Sequence, residues 1–296
     1  MKFSIFLLFW VMSFIRTPVR VFALLLGLLS TAACGREIPA GPILITELEQ
    51  MYASKLAQLR TETAGHIAGW PADNECDGAL WSGIARAAGA EWVDVAAALR
   101  PDGRPTRKPL RDCVTPDESA TTTSNDMITG ILLGLQEAKD AESVLRLYKY
   151  GEAHDWIMGT PEWYLSRVLL RPNGVTLMAR ILYKLTDGQR DYSVRLMPVV
   201  YGPVDGDYEG HLLLLSRIIE KKAGGPQYGM EVAETLFAKA NPSDALAQAV
   251  AGNYLAAALL LTGDYKSPTY VRGDDIYHTV HWLLAARVTL DGMLGK

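Results

Sequence analysis

The sequence predicts an all-α domain, and three observations carry that reading. Apolar residues recur at three- and four-residue steps through most segments beyond residue 42, the spacing that lines one face of a helix. Helix-start chemistry and glycine stops punctuate the same segments. No segment sustains the alternation of a half-buried strand; the best strand candidate, VRLMPVVY at residues 194–201, is broken by Pro198. Stretches dense in small residues (ARAAGA, AAALR, AQAVAG, LAAALLL) allow helix axes to approach closely. The expected architecture is antiparallel helix pairs forming an (α/α)-toroid-like or irregular helical bundle. No self-similar period of about 34 or 40 residues marks a repeat array.

The elements follow in order. Residues 43–61 carry Ile45, Leu48, Met51, Tyr52, Leu56 and Leu59 on a helical period. Residues 76–88 place Leu80, Trp81, Ile84 and Ala88 on one face, and a shorter piece covers 91–99. Residues 126–138 carry Met127, Ile131, Leu132 and Leu135; residues 141–150 carry Val144, Leu145, Leu147 and Tyr148. Further helices are expected at 161–170, 175–185, 208–222, 229–240, 242–261 and 276–290. Thr160-Pro161-Glu162 and Asn241-Pro242-Ser243-Asp244 pair a capping side chain with a first-turn proline, which has no N–H to leave unsatisfied. Gly151, Gly188, Gly224 and Gly263 mark helix ends.

The N-terminus has a different character. Two apolar runs, residues 3–15 and 21–33, are separated by Arg16, Thr17, Pro18 and Arg20. Neither reaches the roughly 20 residues of a spanning helix. Starting at Met12 instead of Met1 leaves a single basic region and a single apolar core, the layout of a secretory signal. Cys34 follows Ala32-Ala33 directly, and residues 31–34 resemble the lipobox of bacterial lipoproteins, with Thr31 where that family usually has Leu. The resemblance implies removal of residues 1–33 and lipidation of Cys34. Because Gly35, not Asp, follows the cysteine, it also implies sorting to the outer membrane, on its periplasmic face. The plain alternative is an ordinary signal peptide cut near Ala33, releasing a soluble periplasmic or secreted protein. Residues 34–42 form a short tether, whose eight residues beyond the cysteine span at most about 25–30 Å, and residues 43–296 a single helical domain.

Composition narrows the function classes. Losing Lys2, Arg16 and Arg20 with the leader moves the formal charge from −4 to −7. That acidity argues against nucleic acid as a partner. With Cys34 taken by lipid, Cys76 and Cys113 form an even pair, expected to be a disulfide in an oxidising compartment; the alternative is two buried reduced thiols.

Four places hold candidate chemistry. Residues 100–112, RPDGRPTRKPLRD, carry Arg100, Arg104, Arg107, Lys108 and Arg111 against Asp102 and Asp112. Guanidinium forks suit carboxylate or phosphate, so Arg104, Arg107, Lys108 and Arg111 are candidate ligand contacts for acidic polysaccharide or lipid phosphate; the alternative is a solvated loop. Asp73, Glu75, Asp77 and Asp126 lie near expected helix starts, with Trp70, Trp81 and Trp92 close by. The layout WPADNECDGALWSG followed by TTSNDMITGILLG resembles (α/α)-toroid glycosidases, which implies Asp77 and Asp126 as catalytic carboxylates and Trp81 as a ligand contact. The competing reading makes Asp126 the closing member of a capping box begun by Thr123, and Asp77 a first-turn acid facing the helix dipole. His154-Asp155-Trp156 suits acid–base work or a helix-end turn. VDGDYEGH, residues 204–211, alternates Asp205, Asp207 and Glu209 with glycines in the manner of a calcium loop, without its full spacing. His278 and His281 share a helix without a third ligand. No metal or cofactor motif is present: no HExxH, GxSxG, P-loop, dinucleotide fingerprint or zinc-type cysteine set.

Two functions follow. One is a non-catalytic envelope lipoprotein that scaffolds or binds partners, such as another envelope protein, at the membrane surface. The other is a toroid-type domain that binds or hydrolyses an acidic glycan.

Overall fold

A computed structural model describes residues 41–73, 75–114, 120–121, 123–159, 168–169, 172–188, 207–224, 230–267 and 275–296. The fold is all-α. Ten α-helices lie among the described residues: α1 (Gly41–Glu62), α2 (Gly78–Ala87), α3 (Asn125–Glu137), α4 (Ala141–Ala153), α5 (Pro172–Leu185), α6 (Asp207–Lys222), α7 (Met230–Ala240), α8 (Ala245–Val250), α9 (Tyr254–Leu261) and α10 (Asp275–Met293). Two short antiparallel pairs accompany them, β1 (Cys113–Val114) with β2 (Ala120–Thr121) and β3 (Ile157–Gly159) with β4 (Val168–Leu169).

Several expected elements differ. The helix expected at 91–99 is only a 3-10 turn, Val95–Ala98, entered when the Asp94 carboxylate accepts the Ala96 N–H at 3.0 Å. Pro101, two residues beyond Leu99, cannot donate to a continued helix. The single helix expected at 242–261 is two, α8 and α9, separated by Gly252 at φ +84°. Asp244, not Asn241, caps α8, accepting the N–H groups of Leu246 and Ala247 at 2.9 and 3.1 Å. Of the helix expected at 161–170, Val168 and Leu169 form β4, and residues 160–167 lie outside the described residues, as do Thr160 and the strand candidate at 194–201.

The tightest packing joins α2 and α3 through glycine. A Cβ on Gly83 would strike the Gly130 carbonyl; one on Gly130 would meet the Leu80 backbone at 2.6 Å; one on Gly134 would lie 2.8 Å from the Gly83 Cα. The backbones therefore touch. Leu80 faces Gly130 and Gly83 faces Gly134, so numbering rises along both helices together: this pair is parallel, where antiparallel neighbours were expected. A parallel pair needs a long return, here residues 88–124. The Cys76–Cys113 disulfide, with Cα atoms 5.4 Å apart, ties that return to the start of α2. Because Cys113 pairs with Thr121, just ahead of α3, both helix starts lie at the stapled end.

The rest of the core is leucine, alanine and aromatic packing from α4 to α10, with polar side chains set into it, among them a chain of ion pairs and a pair of histidines. Arg217 of α6, fully buried, binds Glu220 at 2.6 Å and donates from Nε to Glu234 of α7. Arg180 of α5 donates to the other Glu220 oxygen, so carboxylates and guanidiniums alternate across three helices. Nearby, His211 of α6 and His281 of α10 stack at 5.9 Å, both fully buried.

Candidate functional site

The stapled end gathers the predicted acids and the basic loop. Asp77 sits at the N-cap position of α2 and pairs with Arg107 at 3.5 Å; the same guanidinium donates to the Cys76 carbonyl at 3.2 Å. Asp126 lies in the first turn of α3, buried, and accepts from the Ser124 hydroxyl. Ser124, not Thr123, is the N-cap residue and its side chain makes no capping bond, so the capping box expected from Thr123 and Asp126 does not form. The parallel seam puts both acids at one end of the α2–α3 pair, each already engaged by a side chain of its own surroundings.

The loop's charge is largely consumed within the protein. Arg104 and Arg100 converge on one oxygen of Asp112, at 3.1 and 3.3 Å. Bridges between Leu99 and Pro105 and between Lys108 and Arg111 fold the loop back on itself, and the Thr106 hydroxyl donates to Ala98 and Lys108 carbonyls at 3.0 and 2.8 Å. Gly103, at φ +91°, abuts the backbone of Arg146 in α4, which leaves no room for a side chain.

Trp81 is a correction. Expected as a ligand contact, it is buried, stacked on Tyr277 of α10 at 4.6 Å and tilted against His211 at 6.2 Å. His154-Asp155-Trp156 is a helix-end turn: His154 Nδ1 lies 2.8 Å from the Tyr150 carbonyl, Asp155 and Trp156 take positive φ, and Trp156 packs edge-on to Tyr148. Of the calcium-like segment, residues 204–206 lie outside the described residues, and His211 is in the core. His278 and His281 part company: His281 faces inward, His278 a cleft. Among the described residues no group of three or more His, Cys, Asp or Glu side chains is placed to hold a metal.

That cleft, of about 430 Å³, is the site the sequence did not disclose. α1 supplies Lys55 and Gln58, the stretch after α9 supplies Asp264, Tyr265, Lys266 and Ser267, and α10 supplies His278, Thr279 and Trp282. Its apolar and phenolic parts are fixed from behind. The Trp282 indole donates to the Leu261 carbonyl at 3.3 Å, and the Lys55 ammonium lies 5.2 Å above that ring. The Tyr265 hydroxyl accepts the Ala245 N–H at 3.1 Å and lies 3.4 Å from Asp244. Burial, then the Asp244 carboxylate, push the Tyr265 phenol well up, so it stays protonated and can donate. Gln58 donates to Glu62 at 2.8 Å. Behind the cleft, burial lowers His281, with Asp244 opposing and His278 adding to the effect. Burial and the neighbouring His281 lower His211 to about 3. Both imidazoles are neutral at ordinary pH.

One signal for this cleft is in the sequence. Leu48, Tyr52, Lys55 and Leu59 follow a helical step, so Lys55 lies on the inward stripe of α1, where a cation needs a reason. His278 and Trp282, four apart on α10, share a face.

Compared with protein-family models, curated proteins and solved structures, the chain matches none. No helix among the described residues is long and apolar enough to cross a membrane.

Proposed function

We propose that the chain is an envelope lipoprotein, anchored through Cys34 on the periplasmic side of the outer membrane, whose helical domain is a non-catalytic binding module at the membrane surface. The observation that carries the binding half is α9. Its sequence, YLAAALLL, has no charged side chain, yet Leu255 is 50% and Leu259 39% exposed, one turn apart with Ala256 between. On α7, Val232 and Leu236 are both 61% exposed and again four apart. Apolar pairs on a helix face, left outward, are what an envelope partner would cover. The anchoring half rests on the leader and Cys34.

Two measurements test the halves separately. The mass of the mature protein should correspond to a chain starting at a diacylglyceryl-modified Cys34, and Cys34→Ser should move it from the outer-membrane to the soluble fraction. A photoreactive residue at position 259 should crosslink to an envelope protein in intact cells, with Leu255→Glu abolishing the adduct and leaving the thermal melt unchanged. A full-length cytoplasmic protein would end the first half, and absence of any adduct the second.

A second reading, an (α/α)-toroid-type glycan hydrolase, is supported by one observation: Asp77 and Asp126 share an end of the α2–α3 pair. It requires hydrolysis of an acidic polysaccharide that is lost in both Asp77→Asn and Asp126→Asn. The engagement of Asp77 by Arg107 and of Asp126 by Ser124 favours the non-catalytic reading.

A further inference from the structure

The cleft between α1 and α10 carries an inference that goes beyond a docking face and needs neither the anchor nor the α9 surface. Its cations differ from those of the basic loop. Arg100 and Arg104 already hold Asp112, and Arg107 holds Asp77. Lys55 and Lys266, by contrast, make no ion pair with any described residue. Lys55 is half-buried on the inward stripe of α1, with an indole face as its neighbour. A half-buried ammonium set against a ring face, with no carboxylate paired to it among the described residues, gains more from an incoming anion than a fully solvated one does. Thr279 adds a hydroxyl donor, and His278 an imidazole, to the same walls, while the Ser267 side chain is hydrogen-bonded to Tyr265. The one acid among the lining residues, Asp264, is exposed.

We propose that this cleft binds a ligand bearing a single oxyanionic group, a phosphate or carboxylate, with Lys55 and Lys266 as its charge partners and the Thr279 hydroxyl as a donor. The volume suits a small polar molecule of one or two rings, or one lipid headgroup. Buried Trp282 is the platform beneath Lys55, not a face for stacking a sugar.

The test is calorimetric titration of the full-length protein at low ionic strength with three probes: inorganic phosphate, glucuronate, and vesicles containing phosphatidylglycerol. Saturable one-site binding of at least one probe is expected, and which probe saturates identifies the source of the anion. Lys55→Met with Lys266→Met should weaken it about tenfold or more. Asp264→Asn should tighten it about two- to fivefold by removing a like charge. Arg104→Met should change it less than about twofold, because that guanidinium holds Asp112 and does not line the cleft. If the lysine double variant fails to fold by circular dichroism, Lys266→Met alone, at an exposed position, should still weaken binding about threefold. Three results would overturn the proposal: no saturation with any probe, lysine variants that bind as tightly as the parent, or weaker binding in Asp264→Asn, which would mean the ligand presents a cation there.

Discussion

The stapled end of α2 and α3 and the cleft over α10 divide the protein's cationic chemistry in opposite ways. The first has most of the positive charge per residue and spends it internally, on Asp112, Asp77 and the Cys76 carbonyl. The second has two lysines drawn from distant parts of the chain, neither in an ion pair with a described residue. Charge density along a sequence is therefore a poor guide to where an anion would be met. What counts is whether a carboxylate has reached the cation first.

The backbone contact between α2 and α3 is the feature least able to absorb a substitution. Gly83→Leu should cost at least about 4 kcal/mol, read as loss of the cooperative melt, since the new side chain meets carbonyl backbone that cannot rotate away. A tolerated Gly83→Leu would mean that α2 and α3 are not in backbone contact. Removing the staple comes next. Cys76→Ser with Cys113→Ser should lower stability by about 3–4 kcal/mol, the loss of loop-closure constraint over a sequence separation of 37, measured by urea unfolding.

The imidazoles behind the cleft give the fold a pH signature. His211 titrates near 3 when folded and His281 is likewise lowered, so the unfolded chain takes up these protons first. Stability is complete above about pH 6.5 and declines as pH falls toward the folded values, by up to about 1.4 kcal/mol per pH unit for each imidazole. Unfolding midpoints at a series of pH values check this, and His211→Phe should flatten the slope by one proton. Asp112→Asn should change stability by less than about 1 kcal/mol, because its partners are partly solvated. It should also release Arg100 and Arg104 and give the loop a measurable affinity for phosphate. A loop that stays silent toward phosphate after that substitution would show that pairing with Asp112 is not what occupies it.

Much of the helical skeleton is legible in the sequence, because an apolar stripe such as Met127, Ile131, Leu132 and Leu135 has only one helical face to occupy. The break between α8 and α9 is harder to see. Leu246 to Leu261 reads as one apolar stretch, and only the left-handed turn at Gly252 divides it. The parallel sense of α2 and α3 is invisible locally, since Gly83, Gly130 and Gly134 announce close approach but not direction. The candidate acids could be located at helix starts from sequence, and their partners could not: Arg107 reaches Asp77 only because the loop folds back. Trp81 misled for a related reason. A tryptophan beside acids suggests a platform, yet its neighbours in space are Tyr277 and His211 from the far half of the chain. The cleft needed the fold, since nothing near Lys55 in sequence predicts Trp282.

The junction of α6 and α7 has a further consequence. The inward face of α7 holds Glu234 and Ala238, with few large apolar side chains to seat it. Apolar surfaces tolerate sliding; a carboxylate against a buried guanidinium does not. Moving α7 by one turn would set the methyl group of Ala238 opposite Arg217 and leave that edge of the fork desolvated with nothing to grip, at a cost of several kcal/mol. The helix is thus keyed into a single notch, and the outward position of Val232 and Leu236 is dictated by a charge on the opposite side of the same cylinder.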